Sequence, residues 1–326
     1  MKPLIGLALG SGVARGWAHI GVLRALEQAR LKPDIVAGTS IGALVGAAYL
    51  GGHLADLEAW ALKLTRSRLS RLFDFQLGGG GLIAGRRVLQ ALHPDLLALA
   101  IEDLPVPFIC VATDLATGNE VWLRSGNLIE ALRASYAVPA LFPPVSLDGR
   151  WLIDGALANP VPVSVCRAMG AHVTIAVNLS AEAFGESPAE DVLDIPGPED
   201  DEGRNGEGAD TDPAPAMRMQ FLRQFFRRRD GEPSAFAVMA RTFYIVQDRI
   251  ARSRLAGDPP DLMIFPPLGD IGILDFHRGR ESIAAGEAAT RAGLPKLRQL
   301  VRHFGNGNGG WSKRPAKVKP PLIESK

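Results

Sequence analysis

Three short runs carry the residue types of acyl-transfer chemistry. Gly38-Thr39-Ser40-Ile41-Gly42 fits the pattern G-x-S-x-G. In that pattern a sharp strand-to-helix turn lifts the serine hydroxyl clear of the backbone, and the glycines let chain and substrate approach it. The same residues would also suit a plain glycine-rich turn, so the motif takes its weight from standing between a strand-like and a helix-like run. Gly10-Ser11-Gly12-Val13-Ala14-Arg15-Gly16 follows the first apolar run and leads into a helical pattern. Backbone N–H groups in such a place can hold an anion, either a bound phosphate or the oxyanion of an acyl-transfer intermediate. A dinucleotide site would want an acid at the end of the second strand. Asp34 stands before that strand, so the oxyanion reading fits better. Asp154-Gly155-Ala156 follows Trp151-Leu152-Ile153, where an aspartate could present its carboxylate to a hydroxyl at the edge of a sheet. Alone, Asp-Gly is most often just a turn.

The elements that must position these runs alternate along the chain. Leu4–Leu9 and Ile35–Ala37 read as short strands, and a helical stretch with Ile20, Leu23 and Leu26 on one face lies between them. Ile41–Leu50 reads as a buried helix. Phe108–Thr113 and Glu120–Leu123 read as strands joined through Thr117-Gly118-Asn119, and Trp151–Ile153, His172–Val177 and Leu262–Phe265 as further strands. A helix is expected from Pro160, at its first position, to Met169. This alternation predicts an α/β fold with a mostly parallel sheet covered by helices on both faces.

Composition narrows the classes. Among 326 residues, hydrophobic types make up 47% and the formal net charge is +1, so no global field recruits nucleic acid. Cys110 and Cys166 provide neither a disulfide framework nor a metal cluster. No His/Cys/Asp grouping stands at metal-ligand spacing, so no metal or cofactor is expected. The uncharged run from Ile35 to Gly52 is too rich in glycine to read as a membrane span. The expected location is cytoplasmic, or peripheral at a membrane surface.

Residues 182–215 are acidic and rich in proline and glycine, and read as a disordered insert between 1–181 and 216–304, two parts of one domain. Residues 305–326 read as a loose basic tail. Ala216–Arg229 combines Met217, Phe221, Leu222, Phe225 and Phe226 with Arg218, Arg223, Arg227, Arg228 and Arg229. Such a helix suits a membrane surface, and equally well a docked outer layer of the domain.

Together the three motifs resemble the bacterial members of the patatin-like phospholipase family. The blocks Ala14–Leu23, Ala112–Gly118, Ala134–Val145 and Pro259–Leu262 resemble it too. The resemblance implies a three-layer α/β/α patatin-type domain with a mostly parallel central sheet. It implies a serine acyl hydrolase acting on phospholipids or lysophospholipids through an acyl-enzyme. It assigns the nucleophile to Ser40 and the base to Asp154, a dyad without histidine. The oxyanion hole falls to Gly12 and Val13 with Arg15 beside it, and Gly10, Gly16, Gly38, Gly42 and Gly155 support the motifs. Two departures stand out: Ser11 and Val13 replace glycines of the family's longer glycine run, and Asp-Gly-Ala replaces Asp-Gly-Gly. Three rivals remain. They are an α/β-hydrolase-like esterase with Ser40, Asp154 and His277 as its triad, a nucleotide-binding module on the glycine loop, and a regulatory protein with a vestigial site. His19 near the loop and Asp114 beside its turn read as structural.

Overall fold

Among the described residues the fold is built on one sheet of eight strands. A computed structural model describes residues 2–65, 93–139, 141–180, 234–272 and 274–305. The strands are β1 (Ile5–Leu9), β2 (Ile35–Thr39), β3 (Phe108–Asp114), β4 (Glu120–Leu123), β5 (Val145–Leu147), β6 (Arg150–Asp154), β7 (Val173–Val177) and β8 (Leu262–Ile264). Their order is β5-β6-β3-β2-β1-β7-β8, with β4 also on β3. β3, β2, β1, β7 and β8 run parallel, while β4, β5 and β6 are antiparallel additions. The acidic insert, Ala216–Arg229 and residues 306–326 lie outside the described residues.

Burial on both faces explains the near-continuous apolar strands, and the alternation along them sorts large from small. Leu7, Leu9, Val36, Phe108, Val173, Ile175 and Val177 belong to one core cluster. It includes residues of α1 (Ala18–Gln28), α2 (Ile41–Leu50), α3 (Leu54–Leu62), α4 (Pro94–Leu97), α5 (Leu128–Ser135) and the long C-terminal helix Gly279–Gly305. Ala8, Ala37, Ile109, Val111 and Ala176 face the other way, against Val163, Val165, Cys166 and Ala251. The result is a three-layer α/β/α sandwich. Small residues bring α1 and the C-terminal helix together. A Cβ on Gly21 would lie 1.9 Å from the Ile283 carbonyl oxygen, and one on Gly286 2.0 Å from that of Ala18.

The glycine loop passes through a 3₁₀ turn, Val13–Trp17, into α1 at Ala18. One expected helix start differs from the structure. Helix α6 (Val163–Ala168) begins three residues after Pro160 and stops short of Met169. Asn159 and Val161 each precede a proline, which disfavours helical backbone, and the Pro160 carbonyl accepts the Ser11 N–H at 2.9 Å. That segment is committed to the glycine loop before it can become a helix.

Candidate active site

Strand register alone carries Ser40 to Asp154. β2 and β6 share one edge of β3, because β4 occupies the other edge over Cys110–Thr113. Parallel β2 ends with Thr39 opposite Val111, and antiparallel β6 ends with Asp154 opposite Ala112. The two strands therefore meet head to head at neighbouring register positions. Ser40 Oγ donates to Asp154 Oδ2 at 2.7 Å.

Ser40 has φ 56° and ψ −122°, a conformation that costs a residue with a side chain about 1–3 kcal/mol and persists only where neighbours over-determine it. The neighbours here are specific. The Ser40 N–H donates to Ser135 Oγ at 2.9 Å, and that hydroxyl donates to the Val111 carbonyl at 2.7 Å. Thr39 Oγ1 donates to the Asn159 carbonyl at 2.8 Å. A Cβ on Gly42 would stand 2.2 Å from the Leu9 carbonyl oxygen, and one on Gly38 2.5 Å from Ala43 Cα. The glycines of the motif are thus required by close approach.

Asp154 is wholly buried. Burial pushes its carboxyl up to about 7, against the opposing pull of hydrogen bonds from the Ala156 N–H and the Ser40 hydroxyl. Oδ1 accepts the Ala156 N–H at 2.8 Å, so both oxygens have partners and no imidazole stands between serine and carboxylate. Gly155 allows this turn, since a Cβ there would lie 2.1 Å from the Val111 carbonyl oxygen. Thr113 Oγ1 donates to the Asp154 carbonyl at 2.8 Å.

The glycine loop packs against the start of α2. A Cβ on Gly16 would be 2.1 Å from Ile41 Cγ1, and one on Gly10 2.6 Å from the Val177 carbonyl oxygen. Gly12 and Val13 find no acceptor for their N–H groups among the described residues. Val13 has φ 50°, an outlying value for a β-branched residue. Its side chain helps line a cavity of about 310 Å³ with Val138, Leu141, Met239, Phe243 and Leu274. A glycine at this position would leave that wall open.

Helix α7 (Ala235–Gly257) lies over the same loop. Arg15 is buried, donating through Nε to the Ile271 carbonyl at 2.7 Å and through Nη1 to Tyr244 Oη at 2.9 Å. Gln247 Nε2 donates to Ser11 Oγ, so the serine in place of a family glycine has a dedicated partner. Thr113 and Ser135 lie within two of the family-like blocks, but nothing in the sequence marks their hydroxyls as supports of the site, and Tyr244 and Gln247 lie outside every motif.

The remaining candidates lie apart. His19 is buried with Nε2 2.7 Å from the Gly10 carbonyl oxygen, and burial lowers its pKa to about 4, so it is a neutral brace behind the loop. His277 pairs with Asp275 at 3.9 Å, in a segment held by the Trp17 indole N–H to the Phe276 carbonyl. Asp114 Oδ1 accepts the N–H groups of Ala116 and Thr117 and closes its turn. Asp34 accepts the Ile5 N–H. Cys110 and Cys166 are buried thiols. No described helix is long and apolar enough to cross a membrane.

Comparison with known proteins bears on the family of the chain. The patatin-like phospholipase family model matches residues 7–167. An NTE family protein of Mycobacterium bovis is 36% identical, covering 89% of this chain and 91% of its own. Human patatin-like phospholipase domain-containing protein 6 is 35% identical over 55% of this chain, which corresponds to only 13% of that protein. The neuropathy target esterase sws of Drosophila melanogaster is 32% identical over 55% of this chain and 13% of its own.

Proposed function

The chain belongs to the patatin-like phospholipase family, and from that premise we propose that it hydrolyses acyl esters of phospholipids or lysophospholipids through an acyl-enzyme on Ser40. The observation that carries this reading is the 2.7 Å hydrogen bond from Ser40 Oγ to a wholly buried Asp154 carboxylate. Ser40 Oγ attacks the acyl carbonyl as its proton passes to Asp154 Oδ2. The N–H groups of Gly12 and Val13 take the oxyanion, an interaction commonly worth about 3–4 kcal/mol per donor. Collapse expels the alcohol, which recovers the proton from Asp154. Water then attacks the acyl carbonyl as its proton passes to Asp154, and collapse releases the fatty acid while Asp154 returns that proton to Ser40 Oγ. Every acid–base step uses one carboxyl, whose raised proton affinity suits it to both directions. Arg15 ties the loop to α7, and the apolar cavity beside Val13 takes the acyl chain.

This reading also gives the lipid a route. Val238 and Met239 on α7 line the cavity and are exposed, and Ile245 and Val246 extend the same exposed side by two helical turns. An apolar helix face at a cavity mouth suits contact with a bilayer surface.

The test is covalent. A fluorophosphonate should label the wild-type chain once, at Ser40, and leave Ser40→Ala unlabelled; labelling that persists in the alanine variant would overturn the assignment. The cavity gives a second expectation. Met239→Trp should fill part of the 310 Å³ and lower kcat/KM for long-chain p-nitrophenyl esters about tenfold or more, while acetate and butyrate esters change little. That factor corresponds to about 1.4 kcal/mol, within the range for pocket contacts. An equal loss across the series would place the acyl chain elsewhere.

A further inference from the structure

Two histidines that are 40 positions apart in the sequence meet on the surface away from Ser40. His53 ends the turn after α2 and precedes α3, and His93 precedes the short helix Pro94–Leu97. Their rings stack with centroids 3.9 Å apart and planes 9° from parallel. Asp56 Oδ2 lies 3.0 Å from His53 Nδ1. Asp95 Oδ2 lies 3.8 Å from His53 Nε2 and 3.4 Å from His93 Nδ1. One donor atom from each of His53, Asp56 and His93 falls within 4.8 Å of the others. This is the one such grouping among the described residues.

We propose that His53, Asp56 and His93 form a binding site for a divalent transition ion of the zinc class. Two imidazoles and a carboxylate are the nitrogen–oxygen donor set that zinc, nickel and copper accept, whereas magnesium and calcium demand a shell of oxygens. Bonds of about 2.0–2.1 Å in a four-coordinate shell place donors roughly 3.4 Å apart. The present donors lie within 4.8 Å of one another, so an ion would draw them together and turn the stacked rings out of parallel, which these partly exposed side chains can do. The imidazole of His53 does no capping for α3, and its Nδ1 contact is to Asp56, itself one of the three donors. His93 Nδ1 accepts the Asp95 N–H at 3.4 Å, which leaves Nε2 for the ion. Asp95, at the rim, is placed to supply a fourth donor or to orient a ring. The ion would join α3 to the start of helix Pro94–Leu97 and act as a structural clamp, independent of the Ser40 chemistry.

The experiment uses the full chain stripped with a chelator and titrated with zinc against a chromophoric indicator. One equivalent should bind with micromolar or tighter affinity and raise the melting temperature. His53→Gln, His93→Gln and the exposed Asp56→Asn should each weaken binding at least tenfold, while His303→Gln and Ser40→Ala bind as the wild type does. Hydrolysis of a soluble ester should not depend on the ion. Absence of a tight equivalent in the wild type, or unchanged binding in a folded His53→Gln/His93→Gln double variant, would remove the site. Because Ser40→Ala must retain zinc, failure of the hydrolase reading and failure of this one are separable.

Discussion

Ser40→Ala and Asp154→Asn should each lower ester turnover by about a thousandfold or more, and the double variant should be little worse than either alone. Groups that act as one unit give such non-additive losses. The hydrogen bond between them makes these two a unit, since the serine has no second base and the carboxylate no second hydroxyl among the described residues. Asp154→Asn is nearly isosteric: its carbonyl oxygen can still accept the Ala156 N–H and its amide can still reach Ser40 Oγ. A lost proton acceptor is then the only chemical change. His277→Ala should keep most of the activity, because that ring pairs with Asp275. Steady-state hydrolysis of a short soluble ester, with circular dichroism to show folding, makes the comparison. Substantial turnover by folded Ser40→Ala would end the dyad reading, and near-complete loss in His277→Ala would revive the triad.

The sequence disclosed the motifs because each is local. Ser40 sits in its turn by virtue of Gly38 and Gly42, four residues apart, and the alternation of apolar runs with helical ones announced a parallel sheet. Two things were beyond its reach. One proline-coupled segment hides where its helix starts: Pro160 looks like a first helical residue, yet its carbonyl is taken by Ser11 on a distant loop. The supports of the site are also long-range. Ser135 reaches Ser40 across 95 positions, and Gln247 reaches Ser11 across 236. A hydroxyl or amide in a helix carries no mark of the partner it will meet. The same holds for His53 and His93, which no spacing rule would pair. Val13 lies between these cases. Its departure from glycine was legible, but its contribution to the cavity wall appears only once α7 closes over the loop.

Asp154→Asn should also make the folded chain more stable at neutral and alkaline pH while it destroys activity. The folded carboxyl titrates at about 7, against 3.8 for the ordinary group. Between those values the folded state holds a proton that the unfolded state has lost, so stability falls as pH rises across that window. Below about 4 both states are protonated and the burial of Asp154 carries no ionisation penalty. Above about 7 the penalty is complete, with a ceiling of about 4 kcal/mol from roughly 1.4 kcal/mol per pH unit. Asparagine has no charge to bury. The difference in melting temperature between Asp154→Asn and wild type should therefore start near zero at pH 4, grow to several degrees by pH 7 and then level off. Groups that titrate alike in both proteins cancel from that difference. Turnover must follow the opposite course, because the base works only when ionised: wild-type kcat/KM should rise tenfold per pH unit on the acid side and bend near 7. The strain at Ser40 and the buried charge at Asp154 are then two costs located in one hydrogen-bonded pair, as expected where stability is given up for reactivity. A flat stability difference from pH 4 to 8, or an acid limb that bends below pH 5, would show that Asp154 is solvated like an ordinary carboxylate and does not serve as the base.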